Sequence, residues 1–210
     1  RGLVSIMQDF PTQALLTNGS PMSADYLQEL LRAAQGWGTR HTTAFSGPRQ
    51  WQWGQLQLTV LSPPPAREEA ATEWSLVAEN NRSLVLLLQY GTVRILLTGD
   101  IEQLTEHWLM AHYPDLRVDV LQVPHHGSRT STSPAFLQHL KPRDGIISVG
   151  AGNSYGHPHP RVLQTLAAQG VRVWRTDQLG AITVSSDGST VRIGSLRFPQ
   201  FMPIQQEPTE

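Results

Sequence analysis

Three short stretches of this chain put metal-ligating or proton-moving groups directly behind apolar runs. The run LLTGD delivers Thr98, Gly99 and Asp100. The run VLQVP delivers His125, His126, Gly127 and Ser128. The run IISVG leads into Gly152-Asn153-Ser154-Tyr155-Gly156-His157-Pro158-His159. A carboxylate and imidazoles at strand ends suit metal ligation or acid–base work near neutral pH. Adjacent histidines point in different directions, so one of His125 and His126 can ligate while the other contacts substrate or supports the ligand. His157 and His159 flank Pro158, and a His-X-His pair can share a metal. HPHP also reads as the rigid start of a helix. Asn153 and Tyr155 can position a phosphate or a water, although Asn153 between Gly152 and Ser154 equally suits a turn. Asp100 has a structural reading too, as the N-cap of a helix beginning at Ile101.

Other chemistries are excluded or weak. There is no cysteine, hence no disulfide, thiolate nucleophile or Cys-based zinc site. Ser128 lacks the G-x-S-x-G elbow of a serine hydrolase. No P-loop or dinucleotide fingerprint is present. His107 and His112 are too far apart on one helix to share a face, and with His41 and His139 they read as structural or solvated. Trp51 and Trp53 offer a base-stacking platform or, at period two, a strand face. The formal net charge of −1 advertises no whole-chain field for nucleic acid, so DNA binding needs a local patch.

The elements that must position these groups follow from periodicity. The chain has 210 residues, 39% hydrophobic and 16% charged, which suits one domain with a sizeable core. SADYLQELLRAAQ places Leu27, Leu30, Leu31 and Ala34 on one helical stripe. QLQLTVL alternates as a half-buried strand. SPPPAREEAATEW is expected to be a surface loop. SLVLLLQY and VRILLT, separated by Gly91-Thr92, form a hairpin in a buried sheet. GDIEQLTEHWLMAHY follows as a helix, VDVLQVP as a strand, SPAFLQHL as a short helix and GIISVG as a strand. HPRVLQTLAAQG is a helix capped at Gly170, and VRVWRT, GAITVS and TVRI close the chain as strands. Strands and helices alternate from about Ser83 to Val173, which argues for α/β layers. One domain is expected over 1–197, with a loose tail over 198–210. No apolar run approaches the ~20 residues that span a bilayer. With Arg1 in the first position, the chain reads as a segment of a longer protein.

LLTGDIE, DVLQVPHHGSRTS, IISVGAGNSYGHPHPRVLQTL and TDQLGAITV together resemble the C-terminal metallo-β-lactamase-like domain of the ComEC competence family. The likeness is close over roughly Ser83 to Val184 and looser before it. It implies an αββα sandwich with the site at one sheet edge. It also implies a metal-dependent nuclease-like hydrolase that degrades the non-imported strand during DNA uptake. Its partners would be single-stranded DNA, other competence proteins and, through other domains, the bacterial inner membrane. The domain itself would be soluble and extracytoplasmic.

Carried over by motif, Asp100 and His125 are expected as ligands of one or two divalent ions, zinc or manganese. His126 and His157 are expected to orient phosphate or protonate the leaving group. Ser128, Asn153 and Tyr155 would contact substrate. Which histidine of HHG ligates stays open. The family's early His-x-Asp-x-Asp-His motif is absent from these residues, and Asn80, Asn81 and Ser83 stand where the superfamily often has a further histidine. The segment is therefore expected to begin past the first motif, with an incomplete ligand set. Two rival readings are a hydrolase of another ester or lactone and a non-catalytic DNA-binding scaffold.

Overall fold

A computed structural model of the chain describes residues 2–19, 25–65, 77–195 and 202–203. Its centre is a seven-stranded sheet in the order β3 (Gln50–Trp53), β4 (Leu56–Ser62), β5 (Val85–Tyr90), β6 (Val93–Leu97), β7 (Val120–Gln122), β8 (Asp144–Ile147), β9 (Arg172–Arg175). Strands β3 to β6 are antiparallel, and β6 to β9 run parallel. Gly91 has φ 58° in the two-residue turn between β5 and β6, as a tight hairpin requires.

The parallel strands are crossed over by α3 (Gln103–His112), α4 (Pro134–Leu140) and α5 (Pro160–Ala168). Strand alternation sends Leu96, Leu121 and Ile147 to the helix side, where they pack with Leu109, Phe136 and Leu166. The intervening residues Ile95, Val120 and Ile146 face the other way and pack with Val191 and Ile193. Those belong to a second sheet of β10 (Ile182–Ser186), β11 (Val191–Ser195) and β12 (Met202–Pro203). Helices, large sheet and small sheet thus stack in that order, the α-β-β part of the αββα sandwich that the resemblance implies. The period-two rule explains it: each central strand is apolar on both faces because each face is covered.

A smaller core joins α1 (Gly2–Asp9), β1 (Ala14–Thr17) and α2 (Asp25–Gly36), with Met7, Leu15, Leu27, Leu30 and Ala34 buried together. The helical stripe read from the sequence is therefore the buried one. β1 pairs in parallel with β2 (Arg40–Thr43). A short helix, α6 (Thr176–Leu179), follows β9.

Two local expectations are corrected. Asp100 does not cap a helix, because α3 starts at Gln103 with Glu102 in the N-cap position. The stretch expected as a surface loop starts in the interior: Ser62, Pro63 and Pro64 are buried. Proline can be buried there because it has no N–H to leave unsatisfied. Residues 66–76 lie outside the described residues, as does most of the expected tail. Met202–Pro203, however, pairs with β11. No helix among the described residues is long and apolar enough to cross a membrane.

Candidate metal and phosphate site

Parallel strands bring their carboxyl ends to one edge, and that edge gathers the three polar stretches. Thr98 to Asp100 leaves β6, the histidine loop leaves β7, and the Asn153–His159 loop lies between β8 and α5. The antiparallel β5 starts at the same edge, so Ser83 lies beside Asp100. Its Oγ accepts the Asp100 N–H at 3.1 Å. Gly99, at φ 58°, is needed here, since a Cβ would sit 2.9 Å from Ser83 Cβ. The Gly99 carbonyl accepts the His125 N–H at 3.1 Å, tying the carboxylate loop to the histidine loop.

The histidine loop is a tight turn, Pro124–Gly127, in which His125 (φ 50°) and His126 (φ 55°) both adopt left-handed backbone. Such a conformation costs roughly 1–2 kcal/mol per residue outside glycine and concentrates at functional sites. Gly127 follows at φ 78°, where a Cβ would lie 2.7 Å from Pro158 Cβ. Its carbonyl accepts the His159 N–H at 2.8 Å. This close approach joins the histidine loop to the third loop.

The turn aims the two imidazoles in different directions. His126 Nδ1 lies 2.6 Å from the Ser148 carbonyl. A carbonyl only accepts, so Nδ1 carries the hydrogen and Nε2 of the neutral ring keeps its lone pair. That Nε2 lies 3.6 Å from Asp100 Oδ1, with both side chains about half exposed. His125 is the less exposed of the two, with its buried Nδ1 3.5 Å from Glu102 Oε1 but without a hydrogen bond. Asp100 and His125 are the ligands named from the sequence, with the choice between the two histidines open; the imidazole in contact with Asp100 here is that of His126.

His157 stands 5.9 Å, ring to ring, from His125, and its buried Nδ1 has no hydrogen-bond partner. Burial lowers its pKa below the usual histidine range, and nearby His125, His126 and His159 push the same way. Both effects favour the neutral ring. Tyr155, which is 81% exposed, stacks on His157 at 6.0 Å. His126, Tyr155 and His157 line an open pocket of about 440 Å³ with Ser148, Asn153 and Thr176.

The remaining expected residues hold the scaffold. Asn153 Nδ2 donates to the carbonyls of His157 (2.7 Å) and Gly150 (3.1 Å), and Oδ1 accepts the His157 N–H. Its amide is therefore engaged with the loop backbone, the turn role that its neighbours suggested. Ser128 is buried, with its Oγ 3.1 Å from Thr130 Oγ1 and accepting the Thr130 N–H. His159 Nδ1 accepts the Arg161 N–H as the N-cap of α5. His41, His107, His112 and His139 each bond to a nearby hydroxyl or carbonyl, which matches their structural reading.

Sequence reading missed two carboxylates. Glu102 accepts from Asn81 Nδ2 and Thr130 Oγ1, while Asn81 Oδ1 accepts the Glu102 N–H. Asn81 thus fills its position as a bracket for the start of α3. Glu106 is fully buried and accepts backbone N–H groups from Thr132 and Ser133, which fastens the segment after HHG to α3. Burial raises the Glu106 pKa, and the N–H donors oppose that rise. One signal was available: Glu106 lies three residues before the fully buried Leu109 and so shares its helix face.

The fit to a metal is partial. His126 Nε2 and Asp100 Oδ1 have the donor chemistry of a divalent-metal pair, and the Ser148 carbonyl supplies the support that ligating imidazoles need. No third His, Asp or Glu completes the set among the described residues.

Layer order and strand-end site together define a layered α/β domain with an imidazole–carboxylate pair at one sheet edge. No family model matches the chain. It is 46% identical over 127 residues to ComE operon protein 3 of Bacillus subtilis, covering 60% of this chain and 15% of that protein. It is 32% identical over 165 residues to competence protein ComA of Neisseria gonorrhoeae (78% and 22%). It is also 32% identical over 184 residues to recombination protein 2 of Haemophilus influenzae (88% and 20%). The chain is thus a homologue of the ComEC competence proteins, and it spans less than a quarter of the length of these relatives. A crystal structure of a zinc-dependent-hydrolase-like protein of the metallo-β-lactamase superfamily from Thermotoga maritima aligns at a TM-score of 0.34 and 11% identity, over 76% of this chain and 71% of that one.

Proposed function

We propose that this chain forms part of a metal-dependent phosphodiesterase domain acting on single-stranded DNA within a membrane-bound competence protein, where it degrades the strand that is not imported. The observation that carries this reading is the pairing of His126 Nε2 with Asp100 Oδ1 at 3.6 Å, with the imidazole hydrogen held by Ser148. Asp100 and His126 would hold a zinc or manganese ion, and further ligands must come from outside the described set. A bound divalent ion would lower the pKa of water and polarise a phosphoryl oxygen.

The chain's own residues do the rest. His157, which lines the Tyr155 pocket, would accept a proton or orient a phosphate oxygen there. Tyr155 presents an open aromatic face on which a base can stack. Asn153 and Ser128 keep their loops in shape. His125, close to Glu102 and His157, would support the site or supply a further ligand.

The test is metal-dependent cleavage of single-stranded DNA by the whole protein, with Asp100→Ala and His126→Ala alongside and metal content measured in each. The reading expects bound metal and cleavage in the wild type, and the loss of both in the two variants. Undiminished cleavage by Asp100→Ala would remove that carboxylate from the mechanism. A second reading, a non-catalytic DNA-binding scaffold, is favoured by the absence of a third ligand among the described residues. Stoichiometric metal with no DNA cleavage, but cleavage of another ester, would instead move the substrate class.

A further inference from the structure

A second cleft, sharing no residue with the Tyr155 pocket, opens beside the histidine loop. It encloses about 450 Å³, and its walls include Glu102, Thr130, Arg129, His159 and Arg161. It joins the site through Glu102, whose Oε1 lies 3.5 Å from His125 Nδ1. Arg129 and Arg161 come from different elements, the histidine loop and the first turn of α5, yet line one cavity.

Their state differs from that of the other arginines near the sheet. Arg172 is clamped to the Asp144 carboxylate and Arg175 to Asp177 through two bonds each. Arg129 and Arg161 are both exposed and neither forms an ion pair among the described residues. The carboxylate in the same cleft forms no ion pair with either of them. Glu102 is occupied by Asn81 Nδ2 at 3.3 Å and Thr130 Oγ1 at 2.8 Å. The cleft therefore offers two free guanidinium forks whose planar donor geometry matches phosphate. With a net charge of only −1, attraction to a polyanion must come from such a local pair.

We propose that Arg129 and Arg161 form a phosphate subsite that holds a backbone phosphate of single-stranded DNA flanking the one at Asp100 and His126. The strand would pass from Tyr155, across the histidine loop, into the arginine cleft. The identity of the ligand rests on the phosphodiester reading above, but the subsite needs no metal and no reaction.

The experiment measures binding of a fluorescent oligothymidylate to the whole protein in chelator, across a range of salt, with cleavage assayed separately. Arg129→Gln and Arg161→Gln should each weaken binding about tenfold, as loss of a charged hydrogen bond does. The salt dependence should flatten by about 0.7 in log–log slope for each phosphate no longer neutralised. Arg→Lys at the same positions should recover the slope and part of the affinity, since charge returns without the fork. Both side chains are exposed, so thermal unfolding should not move.

Failure to bind in the wild type overturns the subsite, as does a double Gln variant that binds with unchanged affinity and slope. Normal cleavage by the wild type alongside that second result leaves the hydrolase reading intact. Weakened binding in the arginine variants of a protein that never cleaves supports the subsite and removes the hydrolase.

Discussion

Asp100 and Glu106 stand six residues apart on the same excursion from β6, and their surroundings are opposite. Asp100 is about half exposed and meets an imidazole edge. Glu106 is fully buried and takes its donors from the backbone of Thr132 and Ser133. The exposed carboxylate keeps oxygens free for a ligand. The buried one is committed to shape: it holds the segment after HHG so that the strained histidine turn keeps its aim. Carboxylates in one short stretch can thus divide the labour of a site, and burial, not residue type, decides which does what.

The contrast breaks most clearly at Glu106. Glu106→Ala should destabilise the fold by about 3 kcal/mol, because the buried Thr132 N–H and the half-buried Ser133 N–H lose their acceptor; chemical denaturation reads this directly. If stability is unchanged, water has replaced the carboxylate and Glu106 is not the brace. Asp100→Ala should do the reverse. It should leave the denaturation midpoint in place and cut metal-dependent DNA cleavage by at least ~100-fold, as loss of a ligand or its support does. Loss of stability in Asp100→Ala would instead make that residue structural.

Gly127→Ala tests the joint between the two loops. The added Cβ at φ 78° and 2.7 Å from Pro158 should cost roughly 1–2 kcal/mol and disturb metal binding in proportion. A full-strength site in this variant would show that the histidine turn does not depend on the close approach to Pro158.

The smallest effect is one of pH. A carboxyl whose folded pKa is raised holds its proton better folded than unfolded. Its contribution to stability is therefore present at acid pH and is lost as pH rises from the unfolded value near 4.5 towards the raised folded one. Glu106→Gln should remove this component of the pH dependence. An unaltered stability–pH curve would show that Glu106 ionises normally in the fold.

Most of the strand and helix order was legible from residue types alone, because period-two and helical apolar patterns survive in a single sequence. The hairpin around Gly91, the stripe of Leu27, Leu30 and Ala34, and the alternation of strands and helices after Ser83 all appear in the structure. The site was legible as a collection of motifs, since a carboxylate and histidines behind apolar runs must meet wherever parallel strands end together. Its internal assignments were not. Asn153 and Ser128 carry hydrogen-bonding groups that serve substrate or loop equally well on paper, and only their partners distinguish the two. Glu106 was easy to pass over because an acidic residue in a helix's first turn suits the helix dipole as well as it suits burial.

The linear chain by itself determined which residue types arrive at the sheet edge: Asp100, the histidine pair and the Asn153–His159 loop. It did so because strand periodicity and the turn residues behind each strand are local properties. Only the tertiary structure decided which imidazole meets Asp100, which carboxylate is buried, and that Arg129 and Arg161 share a cleft. Those outcomes depend on left-handed turns and on the meeting of loops far apart in sequence. A glycine too close to a proline across two loops, or a carbonyl waiting for one imidazole hydrogen, has no signature along the chain.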